Sequence, residues 1–285
     1  MAREFVIGAG RSTPAHVGGQ APLLVIAGPC VVESADMVLR TAESLAATCR
    51  QLELGFIFKC SYLKDNRTSV HSEVGPGMEA GLAILQRVRD EIGVPVLSDV
   101  HETAEIAVAA EVLDVLQIPA FLCRQTRLLR AAAATGRAVN VKKGQFLAPE
   151  DAEHIVAKFE SVPGHGGLLL TERGTSFGYH NLVVDMRGLA TLRNFGWPVV
   201  FDITHSLQRP SAAGGESGGE RRFAPVLARA AAAAGVDAVF LEAHPDPARA
   251  KSDRHTQIPL PEVQRLLESV RAFHDLERRF REPRP

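Results

Sequence analysis

Eight short apolar runs, spaced evenly along the chain, constrain the fold more than any other feature of the sequence. They are Leu23–Ala27, Phe56–Lys59, Pro95–Ser98, Val115–Ile118, Ala138–Val141, Leu168–Leu170, Val199–Ile203 and Ala238–Glu242. Between and after them lie eight stretches of helical periodicity: Met37–Leu52, Met78–Glu91, Ala104–Glu111, Leu128–Thr135, Ala152–Phe159, Leu182–Phe195, Phe223–Ala234 and Pro261–Phe273. Strands that are apolar throughout, each followed by an amphipathic helix, imply a parallel sheet covered by helices, and eight such units in 285 residues fit a closed (β/α)8 TIM barrel. The alternative is a doubly wound open sheet. Against it, the first strand-to-helix turn, Gly28-Pro29-Cys30-Val31-Val32-Glu33, lacks the GxGxxG spacing that cradles a dinucleotide pyrophosphate.

Residues 1–20 precede the first barrel strand and residues 21–285 read as one barrel domain. The run Phe5-Val6-Ile7-Gly8, followed by a turn rich in Gly, Ser and Pro, suggests a small hairpin closing the barrel floor. The glycine-rich Ser211–Glu220 segment follows the seventh strand, where a loop would border the barrel mouth and move there. The formal net charge is −1, from 32 Lys and Arg against 33 Asp and Glu, so no basic face for nucleic acid or lipid is expected. No signal-peptide pattern opens the sequence and no apolar stretch reaches the roughly 18 residues of a membrane span, so a cytoplasmic protein is expected. The four cysteines, Cys30, Cys49, Cys60 and Cys123, form no CxxC pair and are expected as free thiols or ligands.

Catalytic groups of such barrels gather at the C-terminal ends of strands. Those positions hold Cys30 and Glu33, Lys59 and Ser61, Asp99 and His101, Gln117, Lys142 and Lys143, Glu172 and Arg173, Asp202, His205 and Gln208, then Glu242, His244 and Asp246. Any one of them alone could be a solvated rim charge. Lysines after strands two and five and an arginine after strand six would repel one another at a common mouth unless an anion bound there, which points to a phosphate or carboxylate ligand. A second constellation, Cys30, His205, Glu242 and Asp253, could converge because strands eight and one are neighbours in a closed barrel. One thiolate, one imidazole and two carboxylates suit a divalent zinc, iron(II) or manganese ion. The alternative is a buried cysteine beside an ordinary rim histidine.

From about Leu23 to about Phe280 the chain resembles the 3-deoxy-D-manno-octulosonate 8-phosphate synthases, also called 2-dehydro-3-deoxyphosphooctonate aldolases. The matching segments are Lys59-Cys60-Ser61 with Asn66-Arg67-Thr68-Ser69, Ser98-Asp99-Val100-His101-Glu102, Gln117-Ile118-Pro119-Ala120-Phe121-Leu122 with Arg124-Gln125-Thr126, and Asn140-Val141-Lys142-Lys143-Gly144-Gln145-Phe146. Further on come Arg173-Gly174 with Phe177-Gly178-Tyr179, Phe201-Asp202-Ile203-Thr204-His205-Ser206-Leu207-Gln208, and Glu242-Ala243-His244-Pro245-Asp246-Pro247.

The resemblance implies an enzyme that condenses phosphoenolpyruvate with D-arabinose 5-phosphate and water, releasing phosphate, to make the precursor of the Kdo sugar of lipopolysaccharide in a Gram-negative type of envelope. By the same resemblance Lys59, Lys64, Lys142 and Arg173 hold the carboxylate and phosphate of phosphoenolpyruvate, with Ser61, Gln117, Gln145 and the backbone of Ala120. Asn66, Arg67 and Thr68 grip arabinose 5-phosphate, Arg67 and Thr68 taking its phosphate. Arg124 completes that site across a subunit boundary, which implies a homotetramer. The metal-using branch of the family carries cysteine where this chain has Cys30, and its other ligands map onto His205, Glu242 and Asp253; Lys59, Lys142, His205 and Asp253 form the implied catalytic set. His244 and Asp246 are expected to support the ligands.

Two positions depart from the family. Arg254 stands where a glycine usually follows the aspartate ligand, and the glycine pattern of Ser211–Glu220 is altered. The competing reading is a 3-deoxy-D-arabino-heptulosonate 7-phosphate synthase acting on erythrose 4-phosphate, which typically carries a Lys-Pro-Arg-Thr run; this chain has Asn66-Arg67-Thr68-Ser69 there. A more remote one is a phosphate-binding barrel without turnover.

Overall fold

The computed structural model describes residues 2–67, 69–176, 180–212 and 217–280. Thr68, the Phe177-Gly178-Tyr179 segment and part of the Ser211–Glu220 loop therefore lie outside the described residues.

Eight parallel strands form the barrel: β1 Leu24–Gly28, β2 Gly55–Lys59, β3 Val96–Asp99, β4 Val115–Ile118, β5 Ala138–Lys142, β6 Leu168–Glu172, β7 Val199–Asp202 and β8 Ala238–His244. Each pairs with the next in sequence, and β8 pairs with both β7 (Phe201 opposite Val239) and β1 (Phe240 opposite Ile26), which closes the cylinder. The helices that wrap it are α1 Ala35–Gln51, α2 Met78–Arg87, α3 Ile106–Val112, α4 Thr126–Ala134, α5 Glu153–Glu160, α6 Met186–Arg193, α7 Ala224–Ala234 and α8 Val263–Phe280. In α1 the buried residues Val38, Thr41, Ala42, Leu45 and Cys49 recur every three or four positions, so one stripe faces the barrel wall. Ser34 starts this helix by accepting a hydrogen bond from the Met37 amide at 3.3 Å. Among the described residues, no helix is long and apolar enough to cross a membrane.

Two local differences from the sequence expectation have simple causes. Leu182 and Val183 were expected in the sixth helix, but they pair antiparallel with Ser176 and Thr175. The helix begins only at Met186 because the Asp185 side chain caps it, accepting from the Arg187 amide. The eighth helix runs on to Phe280, since nothing in Asp275–Arg279 interrupts it and its buried stripe extends through Val270 to His274.

Period-two alternation along the strands creates two cores. Val25, Phe58, Leu116, Val139, Leu170 and Phe201 point outward beneath the helices. Leu24, Ile26, Ile57, Leu97, Val115, Ala138, Leu169, Val200, Ala238 and Phe240 point inward and fill the lower barrel. The N-terminal segment forms the expected hairpin: Phe5–Ile7 pairs antiparallel with Ala15–Val17, and Ile7, Ala15 and Val17 pack into the inner core as a plug. Burying the Ile7 and Val17 side chains contributes about 1.5–3 kcal/mol each. Two residues further up the same strands, the inward positions switch to Lys59, Asp99, Gln117, Asn140, Thr171, Asp202 and Glu242. The barrel interior is thus apolar at its floor and charged at its mouth.

Candidate active site and metal centre

At the mouth, a cavity of about 500 Å3 is lined by side chains from the ends of most strands and from the loops after β2, β7 and β8. Lys64, Arg67, Lys142, Arg173, Arg249, Lys251 and Arg254 border it, against Glu73, Asp99, Asp202 and Asp253. This surplus of cations suits an anionic ligand. Several buried polar atoms here have no partner, among them Arg67 Nε, Arg173 Nη1 and Gln145 Oε1. An unsatisfied buried polar atom is costly, so these atoms point to a polar ligand.

The cations are held by carboxylates below them. Lys142 Nζ donates to Asp202 Oδ2 at 2.6 Å and stands 3.1 Å from the centre of the Phe240 ring. Burial outweighs Asp202 and brings the Lys142 ammonium down to about 8. Burial also opposes charge on Lys64, but Asp99, at 3.5 Å, together with Cys30, Glu242 and Asp253 outweighs it and raises its pKa well above the ordinary lysine value. Asp99 is in turn held below the usual carboxylate range despite burial, chiefly by Lys64 and Lys59. Around the wall runs a chain of hydrogen bonds. Thr171 donates to Asn140 (2.5 Å), Asn140 to Gln117 (2.8 Å), and Gln117 to Asp99 (3.4 Å), which also accepts from Ser61 at 2.6 Å. Each link fixes the next side chain, so the wall is organised before any ligand arrives.

Deeper, between β1 and β8, lies the second constellation. Cys30 Sγ and one oxygen each of Glu242 and Asp253 fall within 4.8 Å of one another. The close approach of β1 to β2 depends on Gly28, where a Cβ would sit 2.0 Å from the Lys59 carbonyl oxygen. Gln257 ties the loop after β8 back over this point, accepting from the Cys30 amide at 3.3 Å while its Nε2 donates to the Ser252 carbonyl at 2.7 Å. Ile258–Pro259 adds a short parallel pairing to the end of β8, which returns the chain after the loop. Asp253 sits at φ +49°, a left-handed conformation that aspartate tolerates better than most residues, whereas Arg254 has ordinary backbone. The glycine that the family resemblance led one to expect after the aspartate is therefore not required here.

His205, the fourth expected ligand, falls outside that three-residue group but borders it, with Nε2 3.5 Å from Glu242 Oε1 and Nδ1 2.8 Å from Asp202 Oδ2. Glu242 Oε2 is buried without a partner. Burial drives the Cys30 thiol well above its ordinary value, and Glu242 adds to the effect. Burial also opposes ionisation of Asp253, but His205 and Lys64 prevail and bring it down to about 2. An orphaned carboxylate oxygen, an ionised aspartate and a thiol whose deprotonation needs a cation are donors that fit a divalent metal.

The expected residues separate into three groups. Lys64, Asn66, Arg67, Gln117, Ala120, Lys142, Gln145, Arg173, His205 and Asp253 share the cavity. Lys59, Ser61, Cys30 and Glu242 lie beneath it, Lys59 donating to Glu242 Oε1 at 2.7 Å and to the Cys30 carbonyl at 2.9 Å. Arg124 is exposed and away from the cavity, and Lys143 is turned into the loop carbonyls of Gly144 and Leu147. Of the expected support residues, His244 stands 3.3 Å from Glu33, and Asp246 donates its amide to His244 Nδ1 at 3.0 Å. Cys49, Cys60 and Cys123 are buried free thiols, as packing residues should be. Sequence reasoning missed Asn140 and Thr171 as wall residues, although the inward alternation with Lys142 and Leu169 marks them. It also missed His71, Arg249, Lys251 and Ser252, which sit in loops where no periodicity exists to read.

Residues 5–276 match the DAHP synthetase I family. The chain belongs to that family. Within it, the chain is 53% identical over 273 residues to the 2-dehydro-3-deoxyphosphooctonate aldolase of Pelobacter propionicus, covering 96% of this chain and 98% of the relative. The enzyme of the same name from Geobacter sulfurreducens is 50% identical with the same coverage. That of Syntrophotalea carbinolica is 54% identical over 256 residues, 90% of this chain and 92% of its own. At this level the family member described here is one of the 2-dehydro-3-deoxyphosphooctonate aldolases.

Proposed function

We propose that the chain condenses phosphoenolpyruvate with D-arabinose 5-phosphate and water to give 3-deoxy-D-manno-octulosonate 8-phosphate and phosphate, the reaction for which its relatives are named. The observation that carries this reading is the convergence of Lys64, Lys142 and Arg173 with Gln117 and Gln145 on one cavity, directly above the Cys30, Glu242 and Asp253 cluster.

In this reading Lys142, Arg173 and Lys64 hold the phosphate and carboxylate of phosphoenolpyruvate. Arg67 and Asn66, with Thr68, hold the phosphate end of the aldose nearer the opening. Carbon three of phosphoenolpyruvate attacks the aldehyde, positive charge develops at carbon two, water adds there, and the hemiketal phosphate expels phosphate by C–O cleavage. Holding both anions in register supplies the proximity contribution, while the fixed ammonium and guanidinium groups stabilise the phosphate as it leaves. Cys30, His205, Glu242 and Asp253 would hold a divalent zinc, iron(II) or manganese ion, which when bound supplies Lewis-acid polarisation of an oxygen. Lys59, beneath the cavity, holds Glu242 in place. Arg124 belongs to the reading as a residue serving a neighbouring subunit of a homotetramer, consistent with its exposure. A cytoplasmic location and a role in supplying the Kdo sugar complete the proposal.

The test is phosphate release from phosphoenolpyruvate with each aldose. Preference for arabinose 5-phosphate is expected. A clear preference for erythrose 4-phosphate would move the chain to the sister activity, and no turnover with either aldose and several divalent metals would leave only a binding role.

A further inference from the structure

Ser252 stands between the two halves of the site. It is 4% exposed, and its Oγ accepts from Arg67 Nη1 at 2.8 Å while lying 3.0 Å from Cys30 Sγ and 3.3 Å from Asp253 Oδ2. Its hydroxyl thus touches both the loop after β2 and the Cys30 and Asp253 pair. We infer that Ser252 is a positioning residue that couples occupancy of the aldose-phosphate pocket at Arg67 to metal binding at Cys30 and Asp253, an inference that rests on the function proposed above.

The argument is one of hydrogen-bond valence. A serine hydroxyl has one proton to donate and two lone pairs to accept with. Arg67 is donor only, so its bond to Oγ occupies a lone pair and leaves the Ser252 proton for an acceptor on the far side. The available acceptors are the Asp253 carboxylate and, once it is a thiolate, Cys30. Both are ligand anions, and donation to them fixes their orientation, as outer partners of metal ligands do.

The loops on either side are tied together as well. Arg67 Nη2 donates to the Lys251 carbonyl at 3.2 Å, and Lys251 Nζ pairs with Glu73 at 3.6 Å across the opening. Arg67 Nε is buried with no partner. It can take a phosphate oxygen while Nη1 stays on Ser252, so a bound phosphate would hold the guanidinium still and keep the hydroxyl proton aimed at the ligand anions. Linkage then requires the reverse: a metal on Cys30 and Asp253 must tighten aldose phosphate binding by the same factor.

The experiment uses full-length protein stripped of metal and titrated with Co2+, following thiolate-to-cobalt charge-transfer absorption, with and without arabinose 5-phosphate. Calorimetry of arabinose 5-phosphate with and without Co2+ gives the reciprocal measurement. Native protein is expected to bind Co2+ at least about 5-fold more tightly with the sugar phosphate present, the lower end of ordinary coupling. In Ser252→Ala the gain should fall below about 2-fold, well short of such coupling. Arg67→Lys, which keeps the positive charge but loses the fork, cuts the link from the other side and should lose the gain too. Coupling as large in both variants as in native protein overturns the inference. Native protein that turns over both substrates yet shows no coupling overturns it while leaving the proposed function standing. If native protein binds no arabinose 5-phosphate, both fail.

Discussion

Replacing Asp202 with asparagine should move the pH dependence of phosphoenolpyruvate use towards acid. Lys142 Nζ lies 2.6 Å from Asp202 Oδ2 and is buried, with a pKa of about 8. A group with that pKa is about nine-tenths ammonium at pH 7 and about one-tenth at pH 9, so if only the ammonium holds the anion, kcat/KM for phosphoenolpyruvate falls about tenfold between them. Loss of an opposite charge at this distance lowers a lysine pKa by about 1–3 units, which places the break of Asp202→Asn between about pH 5 and 7. The variant should be poor at pH 7.5 and recover as the pH is lowered, while native protein keeps its activity at pH 7.5 and loses it only above about pH 8. The assay is kcat/KM for phosphoenolpyruvate from pH 5 to 9.5, with metal content measured at each point because Asp202 also touches His205. A native profile flat to pH 9.5, or an unmoved break in Asp202→Asn, refutes the reasoning. The same shift has a sign for stability. Folding lowers this pKa, so between about 8 and the ordinary lysine value the unfolded chain binds more protons, and this group favours folding increasingly as pH rises.

Chelation should abolish turnover, and Cys30→Asn should leave some metal-independent turnover, because part of the family that the sequence resembles works with asparagine there; full activity of native protein shown to be metal-free would remove the metal from the proposal. Lys59→Met leaves Glu242 buried without its 2.7 Å partner, and should cost about 3–5 kcal/mol in urea denaturation; a loss under about 1 kcal/mol would mean that the pair is not a structural element. Gly28→Ala places a Cβ 2.0 Å from the Lys59 carbonyl oxygen, and should destabilise by about 1–3 kcal/mol or more, as overpacking does; a melting temperature within a degree of native protein would show that β1 and β2 can separate freely.

The barrel was legible because its cause is local and repeated. Apolar runs such as Val115–Ile118 and stripes such as Val38, Ala42 and Leu45 each report one element, and chain closure follows from their number. The inward half of the site was legible for the same reason: Gln117 and Lys142 continue the alternation begun by Val115 and Ala138. Loops carry no such periodicity. Ser252 and Lys251 owe their places to Gln257 and to the pairing of Ile258–Pro259 with β8, contacts between residues that nothing in sequence order connects with Cys30. The role of Lys59 was hard to read for another reason. Its position at the end of β2 predicts an upward cation, but Glu242 on β8 takes the ammonium, and that choice depends on which strands meet across the closed barrel.

The N-terminal hairpin gives the barrel the topology of a cup with a stopper in its base. Ile7, Ala15 and Val17 seal the end opposite the charged mouth, so molecules pass in and out by one route. The positions proposed for phosphoenolpyruvate, around Lys142 and Gln117, are the deeper ones, and Arg67 belongs to a loop nearer the rim. Two ligands in such a vessel must queue: the one at the rim bars the path of the one below it, and traffic through the site becomes last in, first out.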